Sequence, residues 1–282
     1  MKLSARHLIL NTLLAAGGRG QTVREAIASC ALFGIRENSV RVALARLAAE
    51  GLIEVAGRGT YRLGRRATAL ARDVATWRTA EQRVRDWNGG WITVHVGALG
   101  RSNRVALRSR NRALTLLGLR ELDRGFYVRP DNLAGGVGEV RGRLRKLGLD
   151  DAAAVFIGID FDPEREARAR KLWDGKALTQ AYRTTRRKLE RWLAHAGSLE
   201  PEVAAREAFL LGNDAIRMLV FDPLLPAPLV DVDERRALAA VVLRHEAAGR
   251  TVWRRLRLAP GAAAVTPPYS FEFESLAAHT RP

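Results

Sequence analysis

The hydrophobic pattern of the first 63 residues changes at Gly51, and this change limits the folds available to the chain. Before Gly51, apolar residues recur at helical spacing in three short segments. After it, two β-like segments flank the turn Gly57-Arg58-Gly59. The helical segments span about 4–16, 22–33 and 39–50, and the β-like segments span 52–55 and 60–63. Three helices followed by a hairpin is the element order of a winged helix-turn-helix domain.

Helix boundary signals support this interpretation. Thr22 followed by Glu25 has the spacing of a capping box, in which each side chain accepts a hydrogen bond from the other residue's backbone N–H. Asn38 is expected to cap the third helix, and Gly51 to end it.

The third helix has two faces of different character. One is apolar and is expected to pack on the first two helices; it carries Val40, Ala43, Leu44 and Leu47. The opposite face has short side chains and isolated arginines, a composition that suits entry into a DNA major groove. The turn at Arg58 would place a further cation against the DNA backbone. The predicted DNA-binding residues are therefore Arg36, Ser39, Arg41, Val42, Arg46 and Arg58.

Charge favours a polyanionic partner. The formal net charge is +17, with 47 Lys and Arg against 30 Asp and Glu. A surface this basic attracts nucleic acid, an anionic membrane or a phosphorylated ligand. Only five of the cations are Lys, so GC-rich coding is an alternative origin for part of the excess.

Cysteine content and hydropathy predict a cytoplasmic protein without a membrane segment. Cys30 is the single cysteine, so a disulfide within one chain is impossible. It lies in an apolar helical pattern, where burial is the expected role. No signal peptide and no run of about 18 apolar residues is visible.

The middle of the chain is expected to form a ferredoxin-like domain. Residues 91–96 form a strand pattern, residues 103–118 a helix, and residues 119–129 two short strands around a turn. A weaker helix pattern follows, and then a strongly apolar strand over 153–161. The resulting order, βαββαβ, is that of the ferredoxin-like fold.

The predicted fold class is therefore α+β, with an N-terminal winged helix-turn-helix, a central ferredoxin-like βαββαβ domain and a C-terminal helical domain. We expect five segments: a DNA-binding domain over 1–66, a connector helix over 67–88, the ferredoxin-like domain over 89–162, the helical domain over 163–256 and a disordered tail over 257–282.

With these segments in view, the chain resembles the PaaX family of bacterial repressors, the regulators of phenylacetate degradation. The resemblance extends over about 3–256. It is carried by SVRVALARLAAEGLI, WNGGWITVHVG and RVALRSRNRALTLLGLRELDRGFYVRP, with support from LWDGKALTQAY and DPLLPAPLV.

This resemblance implies a homodimer that binds palindromic double-stranded operator DNA and is released by an aryl-CoA thioester such as phenylacetyl-CoA. From the residues themselves we expect no enzymatic activity, no metal and no cofactor. Aromatic rings would bind the aryl group and guanidinium groups the phosphates. The candidate effector residues are Trp91, Arg104, Arg108, Trp173 and Tyr182. For each of them, a role as a core aromatic or surface cation is the alternative.

Two other functions remain open at this point. One is a nucleic-acid-processing enzyme with a ferredoxin-like nuclease domain, although the first strand ends in Val96-Gly97-Ala98 with no carboxylate for a metal ion. The other is a DNA-binding protein without an effector. His95, on the same strand, is a candidate ligand-site residue or a packed core histidine.

Overall fold

The described residues form an α+β structure with two antiparallel sheets, one of three strands and one of four. The computed structural model describes residues 3–15, 20–65, 67–68, 76–97, 99–100 and 103–258. The chain divides into two compact units. The first contains the described residues among 1–77, 185–220 and 238–278, and the second those among 78–184 and 221–237. The first unit therefore contains more of the chain than the DNA-binding segment expected over 1–66.

The N-terminal part of the first unit has three helices that pack on one another and a small sheet in the order β1-β3-β2. The helices are α1 (Ala5–Ala15), α2 (Val23–Ala31) and α3 (Glu37–Ala49); the strands are β1 (Gln21–Thr22), β2 (Ile53–Gly57) and β3 (Thr60–Leu63). Gly20 precedes β1 with φ +81, and a Cβ there would lie 2.9 Å from the Tyr61 carbonyl oxygen. The close approach of β1 to β3 therefore requires glycine.

The capping box of α2 is confirmed. The Thr22 hydroxyl accepts from the Glu25 backbone N–H at 3.2 Å, and a Glu25 carboxylate oxygen accepts from the Thr22 backbone N–H at 2.7 Å. The cap expected for α3 is wrong. That helix begins at Glu37, two positions before the start that an Asn38 cap implies, and its N-cap is Arg36, whose side chain makes no capping hydrogen bond.

Long helices complete the first unit, and two of them continue into the second. They are α7 (Gly175–His195), α8 (Pro201–Val220) and α9 (Val232–Leu258). The buried His7 of α1 lies 3.2 Å, Nε2 to Oδ1, from Asn213 of α8. Its ring also meets Phe209 edge-on. Helix α1 therefore packs against the C-terminal part of the chain.

The second unit is built on a four-stranded antiparallel sheet in the order β5-β6-β4-β7. Its strands are β4 (Trp91–His95), β5 (Arg120–Asp123), β6 (Phe126–Pro130) and β7 (Ala154–Gly158), and its first helices are α4 (Arg104–Leu116), α5 (Gly136–Lys146) and α6 (Pro163–Arg170). Ile92 and Val94 lie in one core with Leu114 of α4 and Leu144 of α5. Alternate side chains of β4 point to the opposite face, where Trp91 is buried.

The connector helix expected over 67–88 is not continuous. Residues 69–75 lie outside the described residues, and from 76 the chain forms two 3-10 helices, Thr76–Thr79 and Glu81–Arg83. It then becomes extended, because Val84 pairs with Leu133 in an antiparallel bridge. The backbone of Val84 is thus paired with that of Leu133. A helix through residue 88 would use the same backbone groups for its own hydrogen bonds and would prevent this pairing. From residue 259, the predicted tail lies outside the described residues.

Candidate nucleic-acid interface

Helix α3 has the two faces that its sequence predicts. Val40, Leu44 and Leu47 are buried, and Ala43 is half-buried. The outward face is exposed and carries Ser39, Val42, Ala45, Arg46 and Ala49. Val42 keeps 43% of its surface exposed although it is apolar. The helix is thus anchored by one side, and the other side presents short side chains around one long cation.

The arginines at this surface differ in their partners. Arg36 and Arg46 are exposed, and no ion pair involves either of them among the described residues. Arg41 is held by Glu37: its Nε and Nη2 both donate to Glu37 Oε1, at 2.8 and 2.7 Å. Two of the three guanidinium groups are therefore available to an anion, whereas the third is already neutralised by a carboxylate.

Arg58 lies at the tip of the β2–β3 hairpin and is exposed. The next residue, Gly59, has φ +68, the left-handed conformation in which glycine is favoured. Behind the tip, Arg62 and Glu54 form a cross-strand ion pair at 2.7 Å. That pair lies on the strands, so Arg58 projects from the turn itself.

Two of the effector candidates meet in the second unit. Trp91 is buried, stacks on Trp173 with ring centroids 6.2 Å apart, and donates from Nε1 to Glu166 at 2.8 Å. On the same face, Phe161 stacks on Trp91 and Trp87 meets it edge-on. Trp173 is also buried, and its Nε1 has no hydrogen-bond partner among the described residues. These contacts form an aromatic core beneath α6.

Among the described residues, no ring contact joins the other effector candidates to this core. The hydroxyl of the buried Tyr182 donates to the Asp222 carboxylate, and burial raises the pKa of both groups. Arg104 and Arg108 are exposed on α4. Among the described residues, no hydrogen bond, ion pair or ring contact joins either arginine to Trp91, Trp173 or Tyr182. The aryl-CoA site therefore stays a prediction.

A surface groove of about 510 Å³ lies at the start of α7 in the second unit. Lys176, Gln180 and Arg183 line one side, and residues 228–231 the other. Arg183 donates to Asp231 and to Glu234, at 3.0 Å each, so its charge is largely compensated. None of the predicted site residues lines this groove.

The other side chains considered for reactivity or ligand binding, Cys30 and His95, are respectively buried and exposed. Burial raises the pKa of the Cys30 thiol to about 12, which keeps it protonated and unreactive. His95 is exposed at the end of β4. Across the described part of the chain, no three His, Cys, Asp or Glu side chains are grouped as a metal site would require. None of the helices described there is both long and apolar enough to cross a bilayer.

Sequence reasoning missed Glu37. It is the first residue of α3, it is exposed, and it carries the only carboxylate that pairs with a predicted DNA-binding residue in the described structure. The signal was available: an acidic residue four positions before an arginine on one helix favours an ion pair.

Comparisons with known proteins agree with this architecture. Residues 4–67 match the family model described as PaaX-like protein, and residues 173–255 match that of the PaaX-like protein C-terminal domain. Among solved structures, the uncharacterized protein Rv0674 from Mycobacterium tuberculosis is similar, with 25% sequence identity and a TM-score of 0.58. The match covers 89% of this chain and 99% of that one. No curated protein matches.

The two family models together cover just over half of the chain, and they match both ends of it. Proteins of this kind are DNA-binding transcriptional regulators. This chain belongs to the PaaX-like family.

Proposed function

We propose that this chain is a transcriptional repressor of an aromatic-acid catabolic operon, and that its N-terminal elements form a winged helix-turn-helix that reads operator DNA. The carrying observation is the outward face of α3, where Val42 and Arg46 are exposed while Val40, Leu44 and Leu47 fix the opposite face in the core. A helix presented in this way fits a major groove.

Each predicted DNA-binding residue has a role in this proposal. Arg46 donates to a guanine edge, and Val42 and Ser39 make close contact with neighbouring bases. Arg36, at the N-terminus of α3, contacts a phosphate. Arg58, at the hairpin tip, contacts the backbone or an adjacent minor groove. Arg41 acts together with Glu37, its partner in the free protein.

We propose a homodimer that binds a palindromic operator. The strand order β5-β6-β4-β7, with α4 and α5 against one face, supports a ferredoxin-like arrangement for the central domain. In a dimer organised by this domain, two α3 helices would reach half-sites about 34 Å apart or a multiple of that distance. A shift of a few ångströms would then prevent both helices from docking together. We place the protein in the cytoplasm, where operator DNA lies.

The proposed effector is an aryl-CoA thioester such as phenylacetyl-CoA. Trp91, Trp173 and Tyr182 are the candidates for the aryl group, and Arg104 and Arg108 for the phosphates. The aromatic core around Trp91 supports the first role, and the exposure of the two arginines supports the second. All five residues belong to the second unit.

The test is a titration of duplex DNA with the full chain. A preferred duplex is first selected from a random library, and its binding is then measured with and without phenylacetyl-CoA, free CoA or phenylacetate. We expect sequence-selective binding, and a loss of about 1–3 kcal/mol of binding free energy with the thioester alone. If the chain binds selectively and the thioester does not change its affinity, the protein binds DNA but does not respond to this effector. Absence of selective binding would contradict the whole proposal.

A further inference from the structure

The Glu37–Arg41 pair lies at the start of the helix that we propose to enter the groove, and this inference rests on that proposed function. Glu37 is the first residue of α3, and 55% of its side chain is exposed. When a recognition helix enters a major groove, its N-terminal residues contact base edges. A carboxylate is therefore presented to the base edges of a polyanion.

A carboxylate at this position discriminates strongly among DNA sequences. Of the groups in the major groove, the amino group at N4 of cytosine is the usual donor to Glu or Asp. Guanine N7 and O6, thymine O4 and the phosphates are all acceptors and repel it. A carboxylate that meets no donor would lose its hydration without compensation.

The geometry of the pair leaves both partners able to bind DNA. Arg41 Nε and Nη2 share one carboxylate oxygen, Glu37 Oε1. No hydrogen bond of the described residues uses Glu37 Oε2 or Arg41 Nη1. At the start of the helix, the pair therefore leaves one carboxylate oxygen and one guanidinium nitrogen without a hydrogen-bond partner among the described residues.

We infer that Glu37 is a specificity-determining residue, which accepts a hydrogen bond from a cytosine amino group in the operator and, on other sequences, holds Arg41 away from the phosphates. Arg41 then contributes little to non-specific binding. Arg36 and Arg58, for which no carboxylate partner is found among the described residues, supply the general attraction to DNA.

The test compares wild type with Glu37→Gln on the selected duplex and on a random-sequence duplex, at several salt concentrations. Glutamine keeps the length of the side chain but removes the charge. We expect Glu37→Gln to bind random DNA more tightly, with a log–log salt slope steeper by about 0.9, because Arg41 is released to one more phosphate. The same change should not steepen the slope in an Arg41→Gln background.

A second readout addresses the base. Library selection with Glu37→Gln should weaken the preference for cytosine at one position of each half-site by about fivefold or more. Asp151→Asn is the matched control, because Asp151 also forms an exposed pair with an arginine, Arg145, at 2.7 Å. That pair belongs to the second unit, and its loss should change neither the salt slope nor the selected sequence.

The inference would be overturned if Glu37→Gln matched the control in random-DNA affinity and salt slope and selected the same sequence as wild type. The proposed function would then stay intact. A wild-type chain that binds neither duplex would overturn the proposed function, and this inference with it. Thermal unfolding curves of both variants serve as the control for folding. Each pair is exposed, so its loss should change stability by less than about 1 kcal/mol.

Discussion

The buried guanidinium of Arg235 donates a hydrogen bond from Nε to the Glu81 carboxylate at 2.6 Å, across 154 positions of sequence. Its Nη1 donates to the Leu225 carbonyl oxygen at 2.6 Å. Removal of one partner of a buried pair leaves the other charge without compensation. The pair therefore fixes the 3-10 helix at Glu81 against the first turn of α9 in the second unit.

Glu81→Gln should lower the free energy of unfolding by about 2 kcal/mol, because the buried Arg235 would lose its hydrogen-bonded anion and keep only the Asp222 carboxylate, 4.0 Å away. Chemical denaturation measures the change. Asp233→Asn is the control: its carboxylate is 93% exposed and pairs with Arg236, so the expected change is within about 0.5 kcal/mol. Equal effects of the two variants would show that the buried pair has no special role.

Stability should fall at acidic pH because of His7. Burial lowers its pKa from 6.5 to about 4, and the charge of Arg217 adds to this effect. The folded chain binds a proton at His7 less readily than the unfolded chain does. The contribution of neutral His7 to the free energy of unfolding is therefore fully present above pH 6.5, and it is lost as the pH falls from 6.5 towards 4. The loss is about 1.4 kcal/mol per pH unit, or about 3 kcal/mol in total.

The measurement is the free energy of unfolding of wild type and His7→Gln between pH 7.5 and pH 4. The variant should show a flatter curve over the lower part of this range. His195→Gln, which changes an exposed histidine at the end of α7, should follow the wild-type curve. A His7→Gln curve parallel to wild type would show that the imidazole does not control this pH dependence.

Arg58→Ala should weaken binding to every DNA sequence. The side chain lies at the tip of the β2–β3 turn, where it would contact phosphate rather than a base. The slope of log affinity against log salt should decrease by about one unit. A slope equal to that of wild type would exclude a phosphate contact, and a change in the selected sequence would instead indicate that Arg58 reads bases.

Local sequence patterns predicted the structure where contacts are local. The faces of α3 follow from helical periodicity, and the capping box follows from the spacing of Thr22 and Glu25. The hairpin between β5 and β6 follows from the turn at Arg124-Gly125. In each case, the residues that determine the geometry lie within a few positions of one another.

Contacts between distant parts of the chain could not be predicted. Nothing near His7 indicates that its partner is Asn213, 206 positions away. The spacing of apolar residues after residue 66 predicted a helix. That spacing carries no information about the backbone bridge between Val84 and Leu133, which ends the helical pattern. The five effector candidates were selected by residue type alone, and in the described part of the chain the one ring contact between two of them joins Trp91 and Trp173.

The central claim is that the outward face of α3 reads DNA sequence, and Arg46→Ala tests it most directly. Titrations of wild type and variant on the selected duplex and on a random duplex measure the two affinities. We predict a loss of about 1–3 kcal/mol on the selected duplex and a much smaller loss on random DNA, because Arg46 donates to a guanine edge. Equal losses on both duplexes would contradict base reading by this face of the helix.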